Sequence, residues 1–239
     1  MIHFRNICFS RSGRTILNNL SFSIGFGEKV AIMGGSGEGK TTILKLILSL
    51  VKPDSGAIEI DGENITGYRE DQLKSVRRKF SIVFQDGALF DSLSVRENVA
   101  FYMREFERFA EEEIEKRVRE YLRFVAVEDA IDLMPEELSG GMIRRVAIAR
   151  SLAARESRMF LYDEPTSDLD PMSATVIRKL ISSLGSNGRG FIIVTHELSH
   201  ALKTAERFLF IKDGTIRFDG NRVEFLNPAD PDLYNFISC

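Results

Sequence analysis

The chain predicts an α/β fold with a parallel sheet at its centre, and three observations carry that prediction. Short apolar runs recur at residues 29–33, 80–84, 158–162 and 190–195, as in strands buried on both faces. Helical spacing follows the first run, and strand and helix alternate again from Met159 onward. A glycine-rich loop, Gly34-Gly35-Ser36-Gly37-Glu38-Gly39-Lys40-Thr41, joins the first run to its helix.

Taken in order, residues 2–9 and 20–24 alternate apolar and polar side chains, the pattern of half-buried strands. Ala57-Ile58-Glu59-Ile60 runs into Asp61-Gly62, a hairpin signal. These segments are expected to form a small antiparallel sheet beside the loop. The residues after it, Thr42-Ile43-Leu44-Lys45-Leu46-Ile47-Leu48, have helical spacing. From about residue 93 to residue 154 the pattern is helical, with Ile114, Val118, Tyr121, Leu122 and Val125 on one stripe. The Glu and Arg residues crowding that segment read as a solvated face. Asp213-Gly214 joins two last short strands, and neither an internal repeat nor a low-complexity stretch interrupts the chain.

The loop fits the pattern G-x-x-x-x-G-K-[ST]. Without side chains in the way, its backbone N–H groups can turn inward and, with the helix N-terminus, hold phosphate oxygens. Lys40 would place a point charge on the β and γ phosphates of ATP, Thr41 a hydroxyl on Mg²⁺, and Thr42 continues the site into the helix. At the end of the run Arg158-Met159-Phe160-Leu161-Tyr162 stand two carboxylates, Asp163 and Glu164. The carboxyl edge of a parallel sheet is where ligands sit. Asp163 would hold the metal and Glu164 would polarise the attacking water as general base. Alone, such a pair reads as a surface feature after a core strand; beside a phosphate loop it reads as catalytic. Leu138-Ser139-Gly140-Gly141-Met142 offers a good helix N-cap in Ser139 and close backbone approach at Gly140 and Gly141.

With these strings in this order, the chain resembles an ATP-binding cassette (ABC) ATPase over nearly its whole length. The resemblance implies a RecA-like P-loop NTPase core with an antiparallel β subdomain and an inserted helical subdomain. It predicts one domain over residues 1–239, with the core at 1–88 and 156–239 and the helical subdomain at 89–155. It implies a homodimer with two ATP molecules at its interface, in which Ser139, Gly140 and Gly141 meet the γ-phosphate held by the opposite subunit. Gln85 matches the glutamine that reaches Mg²⁺ and water, His196 the histidine on the γ-phosphate, and Asp168, within Ser167-Asp168-Leu169-Asp170, the loop that crosses the interface. A lone histidine at a strand end is otherwise more often structural. Three positions depart from the pattern: Asp168 stands where a small residue is frequent, Met142 where most of the family has glutamine, and Arg11, with Phe9 two residues earlier, where an aromatic usually covers adenine. Either side chain could cover a purine face.

Composition bounds the reading. With 239 residues and 44% hydrophobic content the chain can bury one sizeable core. A formal net charge of −3 and a pI near 5.8 without a clustered basic surface argue against nucleic acid as a partner. Cys8 and Cys239 lack metal-ligand spacing, which suits a reducing cytosol. No apolar run has the length of a membrane span and no signal-peptide centre is present. An integral membrane permease would therefore be a separate chain, with this one peripheral to the membrane on its cytoplasmic side.

Cargo is read from shorter strings. Gly87-Ala88-Leu89-Phe90, Leu133-Met134-Pro135, Met142 in place of the usual glutamine, and Asn227-Pro228-Ala229-Asp230-Pro231 resemble the Mla and Mkl type ATPases. That type serves mammalian-cell-entry (MCE) phospholipid transporters, so the resemblance implies MCE-type and small accessory subunits as partners. Leu89, Phe90, Leu93 and Val95 are expected to line a groove for the permease's cytoplasmic helix. The alternatives are the ATPase of a small-solute importer or exporter, and a soluble ABC protein such as an iron–sulfur assembly scaffold.

Overall fold

The computed structural model of the chain describes residues 1–185 and 189–238. Cys239 lies outside the described residues, and Cys8 is a free thiol.

Two sheets organise the molecule. β1 (Ile2–Arg11) and β2 (Arg14–Ile24) form an antiparallel hairpin. Both are longer than their alternating cores, because the pairing continues through the polar residues Arg11 and Arg14 around the Ser12-Gly13 turn. Next come β3 (Lys29–Met33), α1 (Lys40–Ile47), β4 (Ser55–Ile60) and the short β5 (Glu63–Asn64). β4 lies against β1 and β5 against β4, giving the small sheet the order β2-β1-β4-β5. Asp61 and Gly62 turn β4 into β5 with φ of 55° and 83°, the backbone that a two-residue Asp-Gly hairpin requires.

The central sheet follows. α2 (Glu70–Arg77) leads to β6 (Phe80–Val83), then to α3 (Val95–Phe106), α4 (Glu111–Phe124) and α5 (Gly140–Ala153). β7 (Met159–Asp163), α6 (Pro171–Gly185), β8 (Gly190–Thr195) and α7 (Leu198–Thr204) alternate as expected. β9 (Arg207–Lys212), β10 (Thr215–Asn221), α8 (Arg222–Leu226) and α9 (Pro231–Ser238) close the described chain. The sheet order is β10-β9-β3-β8-β7-β6, parallel except for β10.

Because strand side chains alternate, this sheet divides the core in two. Ala31, Met33, Phe160, Tyr162 and Ile193 face the cluster built with α3, α4 and α5. Val30, Ile32, Leu161, Ile192 and Val194 face the cluster built with α1 and the small sheet. On α4, Ile114, Val118 and Leu122 are buried, while its charges pair along the surface as Arg117–Glu113, Arg119–Glu115 and Arg104–Glu111.

The groove expectation needs correction. Val95 is fully buried and Leu89 is partly buried against the same cluster, whereas Phe90 is 43% exposed. The 87–90 turn folds Leu89 inward because Arg150 binds its backbone, donating to Gly87 O at 2.9 Å and Ala88 O at 2.7 Å.

Candidate active site

Parallel register brings the distant strings together. Met33 pairs with Thr195, and Val194 with Asp163, so β3, β8 and β7 end side by side. The phosphate loop, the Asp163-Glu164 pair and His196 therefore leave the sheet at one edge.

At the loop, Gly39 has φ of 89°, and a Cβ there would lie 2.7 Å from Leu17 Cδ2, so conformation and packing both require glycine. α1 starts directly after it with no side chain capping its first amides, which leaves those N–H groups for a ligand. Lys40 Nζ is held over the loop, donating to Gly34 O at 3.1 Å and Gly35 O at 2.9 Å, with Glu164 Oε1 at 3.5 Å. Thr41 Oγ1 donates to Asp163 Oδ1 at 2.8 Å. Burial raises the Asp163 carboxyl above its ordinary range, as does the neighbouring charge of Glu164, against the hydrogen bond from Thr41. A cation placed beside it would relieve that cost.

Glu164 sits just past the strand with φ of 44°, its N–H donating to Val194 O at 3.0 Å. Its Oε1 lies 3.1 Å from His196 Nδ1, and its buried Oε2 has no hydrogen-bond partner among the described residues. Glu164 lines two cavities at the phosphate loop, a position from which a carboxylate can accept a proton from water. Gln85, Glu164, Ser167, His196, Gly35 and Ser36 line one cavity of about 960 Å³. Gln85 Nε2 donates to Asp168 Oδ2 at a long 3.5 Å, and Asp168 is itself left-handed with φ of 61°. A smaller cleft of about 270 Å³ is lined by Phe9, Arg11 and Ile16 together with Lys40, Thr41 and Thr42. Glu38 turns outward, its Oε2 accepting from Asp213 N at 2.7 Å, and with Gly37 lines a neighbouring cleft.

Ser139 caps α5, its Oγ accepting from Met142 N at 3.3 Å. Gly141 packs against α6: a Cβ there would stand 2.7 Å from Ser173 Oγ. Ser139, Gly140 and Gly141 line neither the larger cavity nor the smaller cleft.

Sequence reading missed several lining residues. Leu198, Phe210 and Lys212 border the larger cavity, and so do Asp232, Asn235 and Phe236 of α9. Asp230-Pro231 held the available signal, since an acceptor side chain before proline opens many helices. Asp230 Oδ1 indeed accepts from Asp232 N and Leu233 N at 2.9 and 3.0 Å.

A parallel sheet whose carboxyl edge carries a phosphate loop and an Asp-Glu pair defines the ATP-hydrolysing α/β class. The family described as ABC transporter matches residues 17–167, and the chain belongs to that family, as an ATPase of the ABC type. It is 37% identical over 238 residues to the intermembrane phospholipid transport system ATP-binding protein MlaF of Escherichia coli, covering 99% of this chain and 88% of that one. It is 38% identical over 254 residues to the chloroplastic protein TRIGALACTOSYLDIACYLGLYCEROL 3 of Arabidopsis thaliana, covering 100% of this chain and 73% of that one. The glutamine transport ATP-binding protein GlnQ of E. coli is 39% identical over 238 residues, with 99% and 98% covered. The solved dimer of the ATP-binding cassette MJ0796 with ADP and Pi superposes with a TM-score of 0.85 at 34% identity, over 92% of this chain and 98% of that one.

Proposed function

We propose that two copies of this chain close on two ATP molecules, hydrolyse them between the subunits, and thereby drive a separate membrane permease that moves phospholipid or a related lipid. The observation that carries the dimer is that Ser139, Gly140 and Gly141 line neither cavity at the phosphate loop, while Lys40, Gln85, Glu164 and His196 do. A helix N-terminus with two glycines that serves no phosphate in its own chain is suited to one in its partner. The MJ0796 cassette, dimeric with ADP and Pi, supports the pairing of two copies.

Within each site, the loop amides of Gly34 to Thr42 and the Lys40 ammonium hold the triphosphate. The donors fit magnesium: Thr41 Oγ1, Asp163 and the Gln85 amide are hard oxygen ligands, and burial disfavours the charged form of the Asp163 carboxylate, which a cation would offset. Bound there, the metal would neutralise phosphate charge. Glu164 takes the water proton, and His196, 3.1 Å from Glu164 Oε1, orients it and contacts the γ-phosphate. Arg11, with Phe9 and Ile16 beside it, covers the base in the smaller cleft. Asp168 reaches across the interface.

Residues 89–155 act as the helical subdomain between nucleotide and permease. Phe90 supplies its exposed docking contact, tilted at 45° against Phe101 with ring centroids 4.7 Å apart and with Arg150 5.7 Å from its centroid. No helix among the described residues is long and apolar enough to cross a membrane, so docking from the cytoplasmic face onto another chain's membrane domain suits this reading.

Near full-length likeness to MlaF, a phospholipid transport protein by name, favours lipid cargo. The similar likeness to GlnQ favours a second reading, import of a small polar solute. Purification of the intact complex from membranes, with identification of its chains and bound lipids, separates them. The lipid reading expects a permease with MCE-type and small accessory subunits and co-purifying phospholipid. A permease accompanied by a soluble solute-binding protein, without bound lipid, contradicts it.

A further inference from the structure

The loop that carries Glu164 is strained. Glu164 and Asp168 are both non-glycine residues in the left-handed region, with φ of 44° and 61°, a conformation that persists only where surroundings enforce it. Inside the loop, Ser167 N and Ser167 Oγ both donate back to Glu164 O, at 3.2 and 2.9 Å. Those bonds tighten the turn without fixing it to anything else.

Lys40 and His196 meet the loop at Glu164 and Gln85 meets it at Asp168, and midway between these two strained residues the tie is made by Thr166. Thr166 is 2% exposed, and its Oγ1 lies 2.9 Å from His200 Nδ1 and 3.1 Å from Glu197 Oε1. His200 is fully buried on α7, with no hydrogen-bond partner at Nε2. Burial pushes its imidazole down to about 3, with the Arg178 charge adding to the effect, so the ring is neutral. A neutral ring has one N–H, and a hydroxyl has one proton. Because the Glu197 carboxylate only accepts, the Thr166 hydroxyl donates to it, and His200 Nδ1–H donates to Thr166. The opposite tautomer would bury an unpaired N–H at Nε2, whereas this one leaves only an unpaired lone pair. Glu197 is fixed in turn: its N–H donates to Thr195 Oγ1 at 3.0 Å, and its Oε2 lies 3.9 Å from Arg178 on α6. The chain of bonds thus joins the strained loop, the turn carrying His196, and α6.

We infer that His200 is a positioning residue for ATP hydrolysis: through Thr166 it holds the 164–168 loop in register with the 195–197 turn, and so keeps the Glu164 carboxylate against His196. This rests on Glu164 being the general base. Neither His200 nor Thr166 lines the larger cavity or the smaller cleft, so both act at a distance from ATP.

The test is ATP turnover by the purified full chain, with ATP affinity and thermal unfolding measured on the same samples. His200→Leu should lower kcat roughly 10- to 100-fold, the scale of a small misplacement of a catalytic group, while changing the ATP Kd less than about twofold. His200→Asn, whose amide N–H can stand where Nδ1–H stood, should restore most of the loss. Thr166→Val should match His200→Leu, and the double variant should be no worse than either, as expected of one chain of bonds. Additive losses, normal turnover in folded His200→Leu, or an asparagine variant no better than leucine would overturn the inference. If His200→Leu fails to fold, Thr166→Val and His200→Asn carry the same comparison. Glu164→Gln, run in parallel, keeps the two questions apart: normal turnover there removes the general-base assignment itself.

Discussion

Lys40 Nζ and Glu164 Oε1 lie 3.5 Å apart, with side-chain exposures of only 7% and 11%. A lysine from the phosphate loop and a carboxylate from the far end of β7 thus form a buried ion pair, and each limits how the other can be altered. Removing one partner of such a pair leaves an uncompensated charge in a low-dielectric site.

Lys40→Ala should therefore weaken ATP binding through its lost charge-assisted bonds, each worth roughly 1.5 to 3 kcal/mol, and should leave Glu164 without its cation. Isothermal titration with ATP and magnesium measures the first effect. An unchanged dissociation constant would contradict the assignment of Lys40.

Ser139 and Gly141 should act on the partner's nucleotide. Ser139→Arg should abolish turnover while ATP binding by the monomer stays near normal, and a mixture of Ser139→Arg with Lys40→Ala should regain activity, because each heterodimer holds one intact composite site. Activity no higher than either parent, with heterodimers demonstrated by cross-linking, would count against the head-to-tail dimer.

How far the sequence reached follows from the range of the interactions. The phosphate loop, the Asp-Gly hairpins and the α4 stripe are set by neighbours a few residues apart, and all three were legible. The convergence of Asp163, Glu164 and His196 on the loop was legible because parallel strands of matched length end at one edge. The tie between Thr166 and His200 was not, since it depends on how α7 settles against the loop after β7. Nor was the choice of Phe90 over Leu89 as the exposed contact, which turns on Arg150 gripping a backbone in another element. The place of α9 beside the cavity likewise comes from packing, with Phe236 5.1 Å from the Phe210 ring.

Phe90→Asp should uncouple the subunit from its permease. Its ring is exposed, so the chain should stay folded and bind ATP, at a cost typical of surface substitutions, within about 1 kcal/mol. Pull-down from the membrane fraction, with circular dichroism as folding control, checks it. Retained association and transport would put the docking surface elsewhere.

His200 should also leave a signature in stability. Its pKa is near 3 in the folded chain against 6.5 when free, so below about pH 6.5 the unfolded chain takes up a proton that the folded chain refuses. Stability from this group is complete above that pH and is lost as pH falls toward about 3, at roughly 1.4 kcal/mol per pH unit. Between about pH 7 and pH 5 the parent should lose about 2 kcal/mol more than His200→Leu in urea unfolding. Parallel losses in the two proteins would contradict the buried neutral ring.

The account rests most heavily on Glu164, whose Oε1 is held by His196 and whose side chain lines the cavity at the phosphate loop. Glu164→Gln preserves size and hydrogen bonding while removing the base. Single-turnover hydrolysis of ATP by the purified variant, with binding and dimerisation followed in the same samples, should be slower by roughly 10²- to 10⁴-fold, or about 3 to 5 kcal/mol in barrier. ATP should remain bound and the closed dimer should accumulate. Hydrolysis at near the parent rate would contradict the account.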